Sequence, residues 1–262
     1  MQVEGRVFVI AGAGSGMGRE VALELLNAGA RVAAVDLNRD ALAATKKIAE
    51  ESVRLSTHAC NVVDIAAVDA LVSEVIDAHG AVDGLINIAG IIHRFAPSKE
   101  LEPAEAQRVF DVNFWGTVNT CRAFLPLLLE RPRAALVNMS SLSALIAFAG
   151  QTVYGASKGA VKQYTEGLYQ ELASTPVRVS AIYPGNISTD IAANSGVRMI
   201  DSGGKKVRAT SPRQAAIEIV RGIQRGRMRI LVGNDAKTLD LLVRISPQWT
   251  TGFIGRQMAS VL

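Results

Sequence analysis

Apolar positions along the chain follow two rhythms. Short unbroken runs, "RVFVIAG", "RVAAVD", "VRLSTHAC", "VDGLINIAG", "RAALVNMSS", "VRVSAIYPG" and "RMRILVG", alternate with longer stretches in which apolar residues return every three or four positions. Unbroken apolarity over so few residues marks a strand buried on both faces, and helical spacing between such strands marks crossover helices. The seven runs therefore predict a seven-stranded parallel sheet, doubly wound, with helices on both sides. No repeat, low-complexity tract or Pro/Ser-rich linker divides the pattern. One α/β domain is expected over residues 1–262, with 235–262 as a C-terminal extension beyond the last strand.

Ligands of doubly wound sheets sit at the carboxyl ends of the strands, so the residues after each run carry the chemistry. The first run ends in "AGAGSGMG", with glycine at 12, 14, 16 and 18. The P-loop pattern requires Lys and then Ser or Thr after the last glycine, and Arg19 and Glu20 stand there instead. The GxGxxG fingerprint fails too, because its third glycine falls on Met17 or Arg19. The spacing that fits is GxxxGxG, Gly12, Gly16 and Gly18, a turn that brings backbone N–H groups and a helix N-terminus to a phosphate. Asp36 ends the second run, 18 residues beyond Gly18. That is near the ~20-residue spacing at which a carboxylate accepts hydrogen bonds from an adenosine ribose. A 2'-phosphate there meets like-charge repulsion, and Leu37 beside it is apolar, so NAD is expected over NADP. Arg19 and Arg39 are the nearby cations that bear on that choice.

The fifth run ends in "NMSSLSA", and thirteen residues beyond Ser141 comes "YGASK", with Tyr154 and Lys158 at i and i+4. That spacing puts phenol and ammonium on one helix face. An ammonium beside a phenol favours the phenolate and lowers a pKa that is ~10 in water, which would make Tyr154 an acid or base usable near neutrality.

Composition bounds this picture. The chain has 262 residues, 49% apolar and 20% charged, enough for a substantial core. It shows no run long enough to span a bilayer and no signal-peptide layout, and a cytoplasmic location is expected. Cys60 and Cys121 make neither a disulfide framework nor a metal spacing, and no metal site is expected. The net charge of +4 is uneven: residues 197–262 hold 12 Lys or Arg against 4 Asp or Glu. Without an interleaved aromatic platform, nucleic acid is not an expected partner. Of the histidines, His58 and His79 read as ordinary strand and helix-end residues, and His93 lacks a partner in sequence.

Together "AGAGSGMG", "LINIAG", Asn113 in "DVNFWG", Ser141, "YGASK" and "YPGNIST" resemble the short-chain dehydrogenase/reductase family in its NAD-preferring form, over roughly residues 5 to 232. The resemblance implies a Rossmann-type fold and a catalytic tetrad of Asn113, Ser141, Tyr154 and Lys158. It also implies NAD contacts from Gly12, Ser15, Gly16, Met17 and Gly18, from Asp36 and Leu37, from Asn61 and Val62 beside adenine, and from Asn87, Ala89 and Gly90 along the ribose. Pro184, Gly185, Ile187 and Thr189 are implied at the nicotinamide end, and Tyr154 and Lys158 also touch the cofactor. Ala11, Asn61 and Ile88 depart from the family's usual threonine, aspartate and asparagine, and none of these changes removes a catalytic group.

The expected reaction is NAD-dependent interconversion of a secondary alcohol and a ketone, with Tyr154 as general acid and base. The pocket is expected to involve Ser143, Phe148, Gln151 and the segment from Ile191 to about Lys206. Its neighbourhood, "SLSALIAFAG", favours a lipophilic small-molecule substrate. A 3-oxoacyl reductase acting on a carrier- or CoA-linked chain is the alternative, weakened by the extension past "RILVG". An idle NAD-sensing regulator is a more distant one, weakened because Ser141, Tyr154 and Lys158 are all present. The helices around "DVNFWG" and "YGASK" resemble the family's subunit-packing pair, so a homodimer or homotetramer is expected. In the extension, Trp249 and Phe253 lie one helical turn apart. They suit a wall over the substrate or subunit boundary, the expected arrangement, or contact with an anionic membrane face.

Overall fold

The computed structural model of the chain describes residues 1–189, 191–197 and 209–258. All seven predicted strands form: β1 (Val7–Ala11), β2 (Arg31–Asp36), β3 (Leu55–Ala59), β4 (Gly84–Asn87), β5 (Ala134–Met139), β6 (Val177–Pro184) and β7 (Arg229–Val232). They make one parallel sheet in the order β3-β2-β1-β4-β5-β6-β7. The chain is a doubly wound Rossmann-type α/β fold.

Successive side chains of a strand point to opposite faces, so an unbroken apolar run serves two cores at once. Phe8, Ile10, Val32, Ala34, Val137 and Ile182 face one way, against Val21 and Leu25 of α1 (Gly16–Asn27) and Ile219 and Ile223 of α8 (Pro212–Gln224). Val9, Ala33, Val35, Leu85 and Leu136 face the other way. They meet Val68 and Leu71 of α3 (Ile65–His79), Phe124 of α5 (Gly116–Leu129) and Leu168 of α6 (Thr152–Glu171). α2 (Arg39–Ile48) lies beside β2 and β3.

Three further features position the site. α4 (Pro103–Phe110) runs into α5 through a π-helical turn at Asp111–Trp115. A short helix, α7 (Ile191–Asn194), follows β6. Beyond β7, α9 (Asn234–Ile245) and α10 (Pro247–Met258) pack against each other. The crevice between the carboxyl ends of β1 and β4, where the sheet changes winding direction, is the place such folds leave open for a ligand. Among the described residues, no helix is long and apolar enough to cross a membrane.

At the opposite end of β4, Asp83 is 2% exposed and holds three chain segments together. It accepts from Val7 N and Arg6 Nη1, both at 3.0 Å, and from Arg131 Nε at 2.9 Å. Burial works to raise its pKa, but the hydrogen bonds from Val7, Arg6 and Arg131 prevail and hold the carboxyl below its ordinary 3.8. With a folded-state pKa below the unfolded one, this stabilisation is present above 3.8 and fades as pH falls through the folded value. Asp83→Asn should cost about 2–4 kcal/mol near neutrality. In calorimetry the melting temperatures of variant and wild type should converge at acid pH, and a gap that stays constant would contradict the assignment.

Candidate active site

The glycine loop is shaped first by the protein itself. Gly12 N and Ala13 N donate to Val35 O at 2.8 and 3.0 Å, while Ile88 N and Ala89 N donate to Ala11 O at 2.9 and 2.8 Å. This draws β4's exit loop so close that a Cβ on Gly12, whose φ is +89°, would lie 2.6 Å from Ala89 N. Only glycine fits there. α1 then begins with no acidic residue in its first turn and no side-chain cap, and the Ser15 hydroxyl instead accepts from Asn194 Nδ2 at 2.9 Å. Its free N–H groups and positive dipole end are left for an anion.

The loop forms the floor of a cavity of about 950 Å³. Gly12, Ser15, Gly16, Met17, Gly18, Asp36, Leu37, Asn61, Val62, Ala89, Gly90 and Thr189 all line it, which brings together most of the cofactor residues read from the sequence. Others lie outside its lining, Tyr154 and Lys158 among them. Asn87 is buried beneath, donating to Asn138 Oδ1 at 2.9 Å. Pro184 closes β6, and Gly185 is pressed against Asp235, whose carboxylate would sit 2.3 Å from a Cβ there. Ile187 forms a bridge with Thr210 and packs on the core.

Asp36 stands at the adenosine end. Its Oδ2 accepts from Gly14 N at 2.9 Å and its Oδ1 from Asn38 N at 3.0 Å. Both oxygens keep lone pairs for ribose hydroxyls. Arg19, a cation that could have balanced a 2'-phosphate, donates to Thr45 Oγ1 at 2.9 Å and to Gly14 O. Its guanidinium is committed to the loop. Leu37 is 70% exposed.

At the other end the π-turn turns Asn113 inward and fully buries it. Its Oδ1 accepts from Ile91 N at 2.8 Å, and its Nδ2 donates to Ile91 O and Ser157 Oγ, both at 3.0 Å. A Cβ on Gly90 would meet Lys158 Nζ at 3.0 Å and Asn113 Oδ1 at 3.1 Å, which locates those atoms around the β4 exit. Lys158 is 3% exposed; its Nζ donates to Met139 O at 3.1 Å, and its backbone carbonyl accepts from Ser140 Oγ at 2.8 Å. Ser141 leads into a 3-10 turn, Leu142–Ala144, its Oγ accepting from Ser143 N at 3.0 Å.

The electrostatics correct one expectation. Burial lowers Lys158 from 10.5 to about 8, yet Tyr154 lies above its ordinary value rather than below it. Burial is the dominant cause for Tyr154, and hydrogen bonding with the Ser141 hydroxyl opposes it. Removing water penalises phenolate and ammonium alike, and in the protein alone this outweighs the benefit of the i,i+4 spacing.

Of the pocket residues read from the sequence, Gln151 is buried, and Phe148 accepts from Gln151 N at 3.1 Å through its carbonyl. Ser143 packs against Gly155, its carbonyl 3.2 Å from where a Cβ would stand. The part of the proposed pocket segment from 198 to 206 lies outside the described residues. A second cavity, of about 500 Å³, adjoins the first through Ile91 and Arg108. Phe95, Glu105 and Val197 also line it, none of them singled out from the sequence. His93, which lacks a partner in sequence, is 1% exposed and lines neither cavity.

In the extension, α9 touches the 3-10 turn after Ser141, and its Asp235 carboxylate accepts from Asn186 N at 2.6 Å. Trp249 and Phe253 stack on each other at 5.4 Å and stay 52% and 36% exposed. Arg229 and Arg244 pair with Asp240, and Lys237 pairs with Glu218, so part of the tail's positive charge is balanced within the fold. Among the described residues, no three His, Cys, Asp or Glu side chains gather into a metal-binding group.

A family model described as short chain dehydrogenase matches residues 6–199. The Mycobacterium tuberculosis protein SadH, itself described only as an oxidoreductase, is 38% identical over 252 residues, covering 92% of this chain and 91% of its own. A short-chain dehydrogenase/reductase from Burkholderia phymatum solved with NAD superposes with a TM-score of 0.85 at 26% identity, covering 95% of this chain and 96% of its own. A short-chain dehydrogenase from Burkholderia cenocepacia solved with NADP gives 0.83 at 27%, covering 97% and 99%.

The Lys158 shift has a thermodynamic consequence. Between about pH 8 and 10.5 the unfolded chain still holds a proton that the folded protein has released, so wild-type stability rises with pH across that window. Lys158→Met removes this linkage. From urea midpoints, wild type should gain roughly 2–4 kcal/mol on the variant over the window, whereas parallel pH profiles would contradict a depressed Lys158.

Proposed function

The chain belongs to the short-chain dehydrogenase family, and from that premise we propose that it is an NAD-dependent oxidoreductase interconverting a secondary alcohol and a ketone. The observation that carries this reading is Lys158. It is an almost fully buried amine that pairs with no carboxylate among the described residues, one helical turn beyond Tyr154. A buried ammonium without a counter-ion costs stability, and its retention in a cleft points to chemistry.

The cleft fits a nicotinamide dinucleotide on its own terms. A Cβ on Gly12 would strike Ala89 and one on Gly14 would strike Asp36, so these glycines let the loop fold tightly; the α1 N-terminus is open to a pyrophosphate, and Asp36 presents acceptors to a ribose. With Arg19 committed elsewhere, the donor set favours an unphosphorylated ribose, hence NAD. Bound there, the dinucleotide supplies the hydride acceptor or donor.

The chain's own residues do the rest. Tyr154 hydroxyl gives a proton to the carbonyl oxygen during reduction and takes it from the alcohol during oxidation. Ser141 Oγ hydrogen-bonds that same oxygen and holds it against Tyr154. Lys158, when protonated, stabilises the phenolate and offers N–H donors to the nicotinamide ribose. Asn113 keeps the Ile91 backbone and Ser157 fixed, and Ser157 Oγ in turn donates to Tyr154 O at 2.7 Å. The low pKa of Lys158 also tells which partner gives way first on alkalinisation, so activity in the oxidative direction should level off or fall once the amine loses its charge.

Tyr154→Phe should keep NAD affinity and lose turnover by about 10² or more, because the ring remains and the proton does not. Wild type should use NAD at least about tenfold more efficiently than NADP, and Asp36→Ala should narrow that gap. Steady-state kinetics with both cofactors checks each. Retained activity in Tyr154→Phe would remove the acid/base assignment, and equal use of the cofactors would remove the role of Asp36.

We also propose a homodimer or homotetramer packed through α5 and α6. Trp115 at the start of α5, Leu129 at its end and Tyr169 on α6 are 49%, 41% and 48% exposed, an apolar surface that burial against a second copy would cover. Light scattering at micromolar concentration should give two or four chains, and a monomer would contradict this.

A further inference from the structure

Between α4, the loop leaving β4 and the chain just after α7 lies the second cavity, of about 500 Å³. Its walls are mostly apolar, with Ile91, Ile92, Phe95, Val109 and Val197 among them. The Ser195 hydroxyl, which also lines it, is already used, accepting from Ile92 N at 3.0 Å and donating to Ile191 O at 2.6 Å. A ligand there needs an apolar body. Ile91 lines this cavity and the first one alike, and it directly follows Gly90, where a Cβ would stand 3.0 Å from Lys158 Nζ. The second cavity therefore opens off the first at the β4 exit.

Among the described residues, three charged side chains line this second cavity, and two of them answer each other. Arg94 donates to Glu105 twice, from its backbone N to Oε1 at 2.8 Å and from Nε to Oε2 at 3.3 Å. The third is Arg108, three residues beyond Glu105 on α4. Both acids within one helical turn of it are engaged elsewhere, Glu105 by Arg94 and Asp111 by Gln107 Nε2 at 2.7 Å. Among the described residues, Arg108 makes no ion pair and no side-chain hydrogen bond. A cation in a last helical turn ordinarily complements the helix dipole, but α4 passes without a break through the π-turn into α5. Arg108 has no helix end to serve. Of the described residues, it and Ile91 are the two that line both cavities.

We propose that Arg108 determines specificity, pairing with a carboxylate carried by a substrate whose apolar body lies in the second cavity and whose carbinol reaches the β4 exit. The substrate class is then a lipophilic hydroxy acid and its oxo acid, in place of an uncharged alcohol. A planar guanidinium suits a carboxylate, which it holds with two parallel hydrogen bonds. The proposal deepens the reading of the cleft as an alcohol–ketone site and rests on it.

The binding test uses octanoate and octanamide, nearly one shape with and without a charge, titrated calorimetrically into the wild-type complex with NAD. Octanoate should bind about tenfold tighter or more, and high salt should shrink the gap, because Arg108 is exposed. Arg108→Met should close the gap, and Arg108→Lys should keep part of it. The kinetic test sets 3-hydroxybutyrate, 7-hydroxyoctanoate and 9-hydroxydecanoate each against its primary amide. The acid whose length best matches the site should exceed its amide in kcat/KM by about tenfold or more, chiefly through KM, and Arg108→Met should bring that pair to equality. Arg108→Met should also keep the NAD affinity of wild type. Equal binding of octanoate and octanamide, binding of neither, or a gap that survives Arg108→Met overturns the proposal, and so does equal kcat/KM within every pair. A large loss of NAD affinity in Arg108→Met with the preference for acids intact also overturns it, and assigns Arg108 to the dinucleotide phosphates. Failure of wild type to bind NAD would instead sink the reading of the cleft on which the proposal rests.

Discussion

The inward turn of Asn113 is the constraint on which the rest of the site hangs. Its one amide side chain satisfies both the N–H and the C=O of Ile91 and still reaches Ser157, joining the β4 exit, the α4–α5 helix and α6 at a point fully closed to solvent. A regular α-helix through Asp111–Trp115 would register its side chains differently, and the π-turn there is the local departure that accommodates the contact. Without the amide, the Ile91 N–H and C=O and the Ser157 hydroxyl would lose the one side chain that ties them together.

Around that clamp the protein accepts several unfavourable arrangements at once. Among the described residues Lys158 is buried with no acidic partner, Tyr154 is pushed away from ionisation, the α1 N-terminus is uncapped by a side chain, and His93 Nε2 and Gln151 Oε1 have no hydrogen-bond partner. All lie at the carboxyl ends of strands. At the amino end of β4, by contrast, Asp83 is fully engaged by Val7, Arg6 and Arg131.

How legible each feature was in the sequence depends on how many dimensions it needs. Strands such as "AALVNM" and the glycine loop are local patterns, and the sheet follows from the strands' number and alternation with helices. Asp36 was visible because its distance from Gly18 is set by one helix and one strand. The partnership of His93 and Gln151 was not, because 58 residues separate them and only the packing of two loops brings them together. The direction of the Tyr154 shift was misread for a related reason: the i,i+4 spacing shows the ammonium but not the burial that opposes it. Gly185 resembled a cofactor contact, yet its missing side chain makes room for Asp235 of the extension. Trp249 and Phe253 have helical spacing, stack on each other and stay 52% and 36% exposed, while α9 touches the 3-10 turn after Ser141.

We propose that a dinucleotide lies along the cleft from Asp36 past the glycine loop to the β4 exit, with its nicotinamide end turned toward Lys158 and Tyr154. A crystal structure of the protein grown with NAD tests this most directly. The adenosine ribose should lie on the Asp36 carboxylate and the pyrophosphate at the start of α1. The nicotinamide ribose should come within hydrogen-bond reach of Lys158 Nζ, with the ring opposite the Tyr154 hydroxyl. A dinucleotide bound in the reverse sense, or one whose nicotinamide lies out of reach of Tyr154 and Lys158, would contradict it.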